Sequence, residues 1–223
     1  FHKGTDQETS IQISGGTRYL SKVTSISDDF VPVGAKQFQV NSTEGLSVGQ
    51  KIVVKCLHTQ KWIRALEQED DWHSSQFRVD WERIITDINT SNNTITLNGP
   101  ITTQIDQGNG YATGEVHAIT SDTRISHIGI EDLIIMSDYN RSVRSQGYYV
   151  DENHARIAIL LHSGHDCWIR RVTGYFHFWC LVRSRNPFYR ATIEDCAMID
   201  GISTDTHHNH TGTRDYSFLL GGN

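Results

Sequence analysis

The sequence predicts an all-β fold, a parallel β-helix carrying a small inserted antiparallel β unit, and three observations support that prediction. First, one motif recurs. Ile128–Leu133 (Ile-Gly-Ile-Glu-Asp-Leu), Cys167–Val172 (Cys-Trp-Ile-Arg-Arg-Val) and Ala191–Cys196 (Ala-Thr-Ile-Glu-Asp-Cys) align without gaps. Ile130, Ile169 and Ile193 then share one column. Ile128, Cys167 and Ala191 form a second, and Leu133, Val172 and Cys196 a third. The last two copies lie 24 residues apart, a length suited to one turn of a parallel β-solenoid. The first interval is 39, so a loop of about fifteen residues, roughly Ser137 to Asn153, should bulge from the coil. Second, short β-branched alternating runs are frequent and helical periodicity is scarce. Third, the positions between the apolar columns are charged and alternate in sign: Glu131, Arg170, Glu194 and Asp132, Arg171, Asp195. Coils stacked roughly 4.8 Å apart turn these into ladders worth roughly 0.2–1 kcal/mol per pair. Arg170 and Arg171 are therefore read as ladder residues before any catalytic role.

Residues 1–30 hold Ser10–Ser14, an alternating strand, the turn Gly15–Gly16 and a second strand, Tyr19–Thr24; they are assigned to the N-terminal part of the helix. Residues 31–120 have a different texture. A Leu46-Ser-Val-Gly49 turn precedes the apolar run Lys51–Lys55, and Trp81–Ile88 turns at Asn89–Asn93 into Thr94–Leu97. This reads as the small antiparallel unit. Between its halves, Trp62, Trp72 and Phe77 flank an acidic run, Glu67–Asp71, read as a solvated loop. The aromatics either stack on sugar or close one end of the unit. Residues 121–223 carry the coils. The chain turns polar after Asp200 through His207, His208 and His210, read as a polar loop, and no metal site is assigned. With no C-terminal cap in view, the segment reads as part of a longer helix, its open end covered by further coils or another chain.

The formal charge is −6, with 26 acidic and 20 basic residues, which gives no electrostatic case for nucleic acid. No apolar run is long enough to span a membrane, and the start, Phe1-His-Lys-Gly, is not a signal peptide. Sequons at Asn41, Asn89, Asn92, Asn140 and Asn209 suit a secreted glycoprotein. The four cysteines leave disulfides open, and no Cys-x-x-Cys spacing points to zinc.

Several segments together carry a resemblance. They are Val31–Gly34, Leu46–Gly49, Lys61-Trp-Ile-Arg64, Trp81–Ile85, Thr94–Leu97, the Ile128 and Cys167 motifs, and Thr213-Arg-Asp-Tyr-Ser-Phe218. In this order they resemble secreted right-handed parallel β-helix proteins of the pectate-lyase-like superfamily, over roughly residues 25–220. The resemblance implies an extracellular protein acting on or binding a polysaccharide, and a longer parent helix. A lyase of this kind neutralises a uronate carboxylate, removes the C5 proton and protonates the leaving oxygen; the resemblance also allows a Ca²⁺ held by Asp and Glu.

Candidates lie at the coil corners. His162, His177, Arg183 and Arg185 form the expected catalytic set, with His162 and Arg183 placed as neighbours by aligning Leu160-Leu161 on Leu181-Val182. Tyr175, His165, Trp62 and Trp72 are the expected substrate contacts. Arg would neutralise and His or Tyr175 would move the proton. Asp195, Asp200 and Asp205 are the weaker hydrolase option, since Asp195 already has a ladder partner. Two functions stay open: a uronate-directed lyase, and a non-catalytic carbohydrate-binding or assembly protein in which these side chains are dispersed turn residues.

Overall fold

The computed structural model describes residues 9–70, 72–73, 77–205, 210–211 and 217–221. β1 (Thr9–Ser14) is the first strand of the parallel β-helix among the described residues. The chain leaves the helix after Gly15–Gly16 and rejoins it at Thr123, where Gly16 N–H donates to Thr123 O at 2.9 Å. The residues between, Arg18–Asp122, form a compact unit of their own. Its strands are β2 (Arg18–Ser25), β3 (Phe30–Val31), β4 (Gln37–Gln39), β5 (Lys51–His58), β6 (Arg78–Asn89), β7 (Thr94–Leu97), β8 (Ile105–Asp106) and β9 (Ala112–Asp122), with a short helix α1 (Gln60–Ala65) after β5.

The sheet of this unit runs β2-β9-β5-β6-β7-β4, paired antiparallel. Period-2 alternation puts Ile52, Val54 and Cys56 of β5 into a core with Trp81, Ile85, Ile95 and Val116. The Leu46–Gly49 turn ends on Gly49 at φ 85°, whose N–H donates to Ile85 O at 2.8 Å. β2 corrects the assignment of residues 1–30 to the helix: it pairs antiparallel with β9. Its alternation suits a parallel or an antiparallel partner equally, so the pattern could not choose between them.

The rest of the chain forms the helix unit. After Thr123 the first coil resumes with β10 (Ile125–Ser126) and β11 (Gly129–Met136). A loop with the hairpin β12 (Arg144–Ser145) and β13 (Tyr148–Tyr149) follows, then β14 (Ile157–Tyr175), β15 (Cys180–Glu194) and β16 (Ala197–Ile199). β17 (Thr204–Asp205), β18 (His210–Thr211) and β19 (Phe218–Leu220) complete the order. β14 is a whole coil. β1, β10 and β11 pair parallel with it, as do β15 and β16, and β19 pairs parallel with β15. Ile130, Ile169 and Ile193 occupy one column, and Leu133 pairs with Val172, as the motif predicts. Ile159, Leu161, Ile169, Val172, Leu181 and Val182 are buried between the faces.

The corners are columns of residues in the left-handed region: His127, Asp166, Arg190; Asp132, Arg171, Asp195; and Phe176, Asp200. Such a residue turns the strand, and polar side chains tolerate it best. The charge ladder uses the same positions. Arg171 donates to Asp132 at 2.6 Å and to Glu131 at 3.1 Å, while Arg170 reaches Glu194 at 3.1 Å. Each arginine thus bonds a different neighbouring coil.

The loop between β11 and β14 is anchored by a wholly buried histidine. His154 Nε2 bonds the Ile202 carbonyl at 3.2 Å as a donor, which leaves Nδ1 to accept from the Ser137 hydroxyl at 2.8 Å. Burial pushes His154 below its ordinary value of 6.5, opposed mainly by the Ile202 carbonyl. As pH falls through 6.5 the unfolded chain takes up a proton that the native chain does not. Stability present above that pH is therefore lost below it. Melting temperature is expected to fall from about pH 7 to about pH 5, and His154→Gln should flatten that slope. An equal slope in both proteins would rule out His154 as the cause.

Candidate functional site

Arg156 immediately precedes β14 and Trp179 immediately precedes β15, so the two occupy one column beside the Ile157–Cys180 pair. Trp179 N–H donates to Arg156 O at 3.1 Å. The Arg156 guanidinium carbon lies 3.7 Å from the centre of the Trp179 ring, and that of Arg183 lies 4.1 Å from the same centre. Both guanidinium groups are thus within cation–π range of one indole, an attraction strengthened by partial burial. Arg185 follows on the same strand and is exposed.

This group differs from the other arginines of the helix unit. Arg170, Arg171 and Arg190 each pair with carboxylates. Among the described residues no carboxylate pairs with Arg156, Arg183 or Arg185. Burial, and then the charges of Arg185 and Arg156, hold Arg183 below the usual guanidinium value. Like charges are gathered here with no carboxylate partner among the described residues.

The remaining expected residues are dispersed. His162 faces Arg185, not Arg183, and its Nε2 lies 3.0 Å from Asn186 Nδ2. The correction arises because Ile159 pairs with Val182 and Leu160 with Arg183, two residues from the alignment drawn on apolar pairs. His177 is wholly buried, 3.0 Å from the Ser10 hydroxyl, at the opposite end of the strand from His162. Tyr175 ends β14 between Met136 and Ile199, with its ring beside Phe176. His165 bonds the adjacent Asp166 at 2.7 Å, and Arg190 binds both oxygens of that carboxylate. Arg190, with His165 adding to it, holds Asp166 well below the carboxylate range, so this group is an ion pair and not a proton donor.

Trp62 and Trp72 belong to the antiparallel unit. Their rings stack at 6.2 Å and pack against His58 and Phe77, so they engage one another. Asn41, Asn89, Asn92 and Asn140 are exposed, while Asn209, His207 and His208 lie outside the described residues. The four cysteines form no disulfide, and Cys56, Cys167 and Cys180 are buried. Among the described residues no three His, Cys, Asp or Glu side chains converge as metal ligands, so no step is derived through Ca²⁺. Nor, among them, is any helix long and apolar enough to cross a membrane. Sequence reasoning missed Arg156 and Trp179. Aligning the residue before each strand, Arg156 over Trp179, is the signal that would have found them.

The fold class is the right-handed parallel β-helix. Comparison with solved structures finds phage tailspikes. The chain is 16% identical to the tailspike protein gp49 of Pseudomonas phage LKA1, with a TM-score of 0.52, covering 96% of this chain and 28% of that one. Tailspike gp61 of Pseudomonas phage phi297 gives 13% identity, coverage of 97% and 35%, and a TM-score of 0.41. Gp54 of Acinetobacter baumannii bacteriophage AP22, solved with a capsular saccharide of that bacterium, gives 9%, 84%, 34% and 0.38. At such identities the first likeness bears on fold alone, and the chain spans 28% of that tailspike's length. No protein-family model and no curated protein matches the chain.

Proposed function

We propose that this chain is an extracellular β-helix protein that binds an acidic polysaccharide, with Arg156, Arg183 and Arg185 as its carboxylate-binding strip. The supporting observation is the Arg156–Trp179–Arg183 cluster with Arg185 beside it, cations gathered without a carboxylate among the described residues. Guanidinium forks match carboxylates in a bidentate fashion, and a uronate polymer supplies such groups at intervals along one ligand. The exposed sequon asparagines Asn41, Asn89, Asn92 and Asn140 support the extracellular location.

The lyase form of this reading assigns the uronate carboxylate to Arg185 and the C5 proton to His162, its neighbour on the adjacent coil. His162 takes that proton, the C4–C5 double bond forms as the C4–oxygen bond breaks, and water protonates the leaving oxygen. His177 is too buried to take part. The non-catalytic form keeps the arginine strip without turnover. Both are tested on polygalacturonate, with neutral dextran as the control. Retention of polygalacturonate alone, weakening as salt rises, is expected; equal retention of both polymers would sink the proposal. Ultraviolet absorbance of unsaturated uronate, appearing in wild type and absent in His162→Ala, separates the lyase from the binding protein.

A further inference from the structure

We infer that the helix unit holds a second saccharide site, a pocket for one or two neutral pyranose rings, set between the β11–β14 loop and a coil corner. The pocket has a volume of about 370 Å³ and is lined by Tyr139, Tyr148, Tyr149, Phe176, Asp200 and Ile202, among others. That volume falls within the range of small-ligand sites, roughly 300–1,000 Å³. It goes beyond the arginine strip, because its lining has the opposite chemistry.

The aromatic wall is built, not incidental. Tyr139 sits edge-on to Tyr149 at 5.3 Å and tilted to Phe176 at 5.2 Å. Arg144 lies over the Tyr149 ring at 4.2 Å and Arg141 over Tyr139 at 5.8 Å. The loop is held from below by His154, bonded to Ser137 and Ile202, and by Asp151, which accepts from the backbone of Asn140 and Asn153. Tyr139 and Tyr149 are therefore in position before any ligand arrives.

Each lining group suits a pyranose. The apolar C–H face of the ring packs on an aromatic face. Tyrosine hydroxyls donate and accept at the sugar's edge, and an exposed Asp200 carboxylate accepts from neighbouring hydroxyls. Asp200 stands at φ 52° in the same corner column as Phe176, whose N–H bonds Ile199 O at 3.2 Å. Arg141 and Arg144 are not among the lining residues, whose charged member is Asp200; its negative charge disfavours a uronate, which assigns this pocket to neutral sugars and leaves acidic ones to the Arg156–Arg183–Arg185 strip.

The test is saturation-transfer NMR on the full chain with cellobiose, lactose and chitobiose as neutral probes and digalacturonate as the acidic one. At least one neutral disaccharide should give transfer, and digalacturonate should not compete with it. Tyr148→Ala removes a side chain 57% exposed, and Asp200→Asn keeps a residue that favours the left-handed corner, so both should fold. Each is expected to weaken the neutral probe roughly three- to tenfold, while Arg183→Gln leaves it unchanged. Absence of transfer from all three neutral probes would overturn the inference. So would transfer that is insensitive to both pocket variants, or that is lost in Arg183→Gln.

Discussion

Gly15→Ala should lower the melting temperature of the helix by roughly 10 °C, a loss of about 3 kcal/mol. Gly15 follows β1 where the chain is about to leave the first coil for the antiparallel unit, and its N–H extends the parallel ladder to His162 O at 2.9 Å. A Cβ there would stand 2.2 Å from both Ile125 N and Ser163 O and 2.9 Å from Arg124 Cα. All three are backbone atoms, so no rotamer change relieves the clash. Either the exit strand or the re-entry at Ile125 must shift, and both are paired to β14. Ser14→Ala, at the exposed position one residue earlier, should melt within roughly 2 °C of wild type. Thermal unfolding followed by circular dichroism decides the matter. If Gly15→Ala melts with wild type, the exit and re-entry points are not clamped together in solution.

The same junction shows what the sequence could convey. The coil motif was legible because in-register stacking repeats residue type: branched apolar residues at Ile130, Ile169 and Ile193, and alternating charges between them. The loop over Ser137–Asn153 followed from the unequal intervals. The register of the preceding face was not legible. Leu160-Leu161 and Leu181-Val182 are apolar runs that accept several alignments, and the true pairing brings Leu160 against Arg183. The ladder also shifts between His162 and Gly164, where the partner strand carries an additional residue. The ambiguous apolar runs, not this shift, set His162 against Arg183 and hid the Arg156–Trp179–Arg183 cluster. In the sequence His177 sits at a coil corner with the other candidates; Ser10, its partner, lies far away in sequence and was out of reach of local spacing. The pocket was hidden for a similar reason. Asp200 was noticed only as one of three acidic residues, whereas its neighbours Tyr139, Tyr148 and Tyr149 come from a loop with no repeat to align.

The double variant Arg183→Gln, Arg185→Gln should lose about 100-fold in affinity for polygalacturonate, about 2.8 kcal/mol, without loss of stability. The first half follows from the chemistry of the strip. Two charged hydrogen-bonding groups are removed from a carboxylate ligand, each worth roughly 1.5–3 kcal/mol, and part is recovered by Gln donors and by Arg156, which remains on Trp179. The salt dependence should become shallower as well, since fewer charges take part. The second half follows from the folded state. Arg183 is partly buried and repelled by Arg185 and Arg156, with no carboxylate among the described residues to offset this. Neutralising it relieves repulsion within the free protein, although the Arg183–Trp179 contact is given up. The two effects oppose one another, so the melting temperature should stay within roughly 2 °C of wild type or rise. A structural role predicts the reverse: an arginine kept for the fold would lower the melting temperature when removed and leave polymer binding intact. Affinity and melting temperature measured on the same double variant therefore separate a binding strip from a stabilising one.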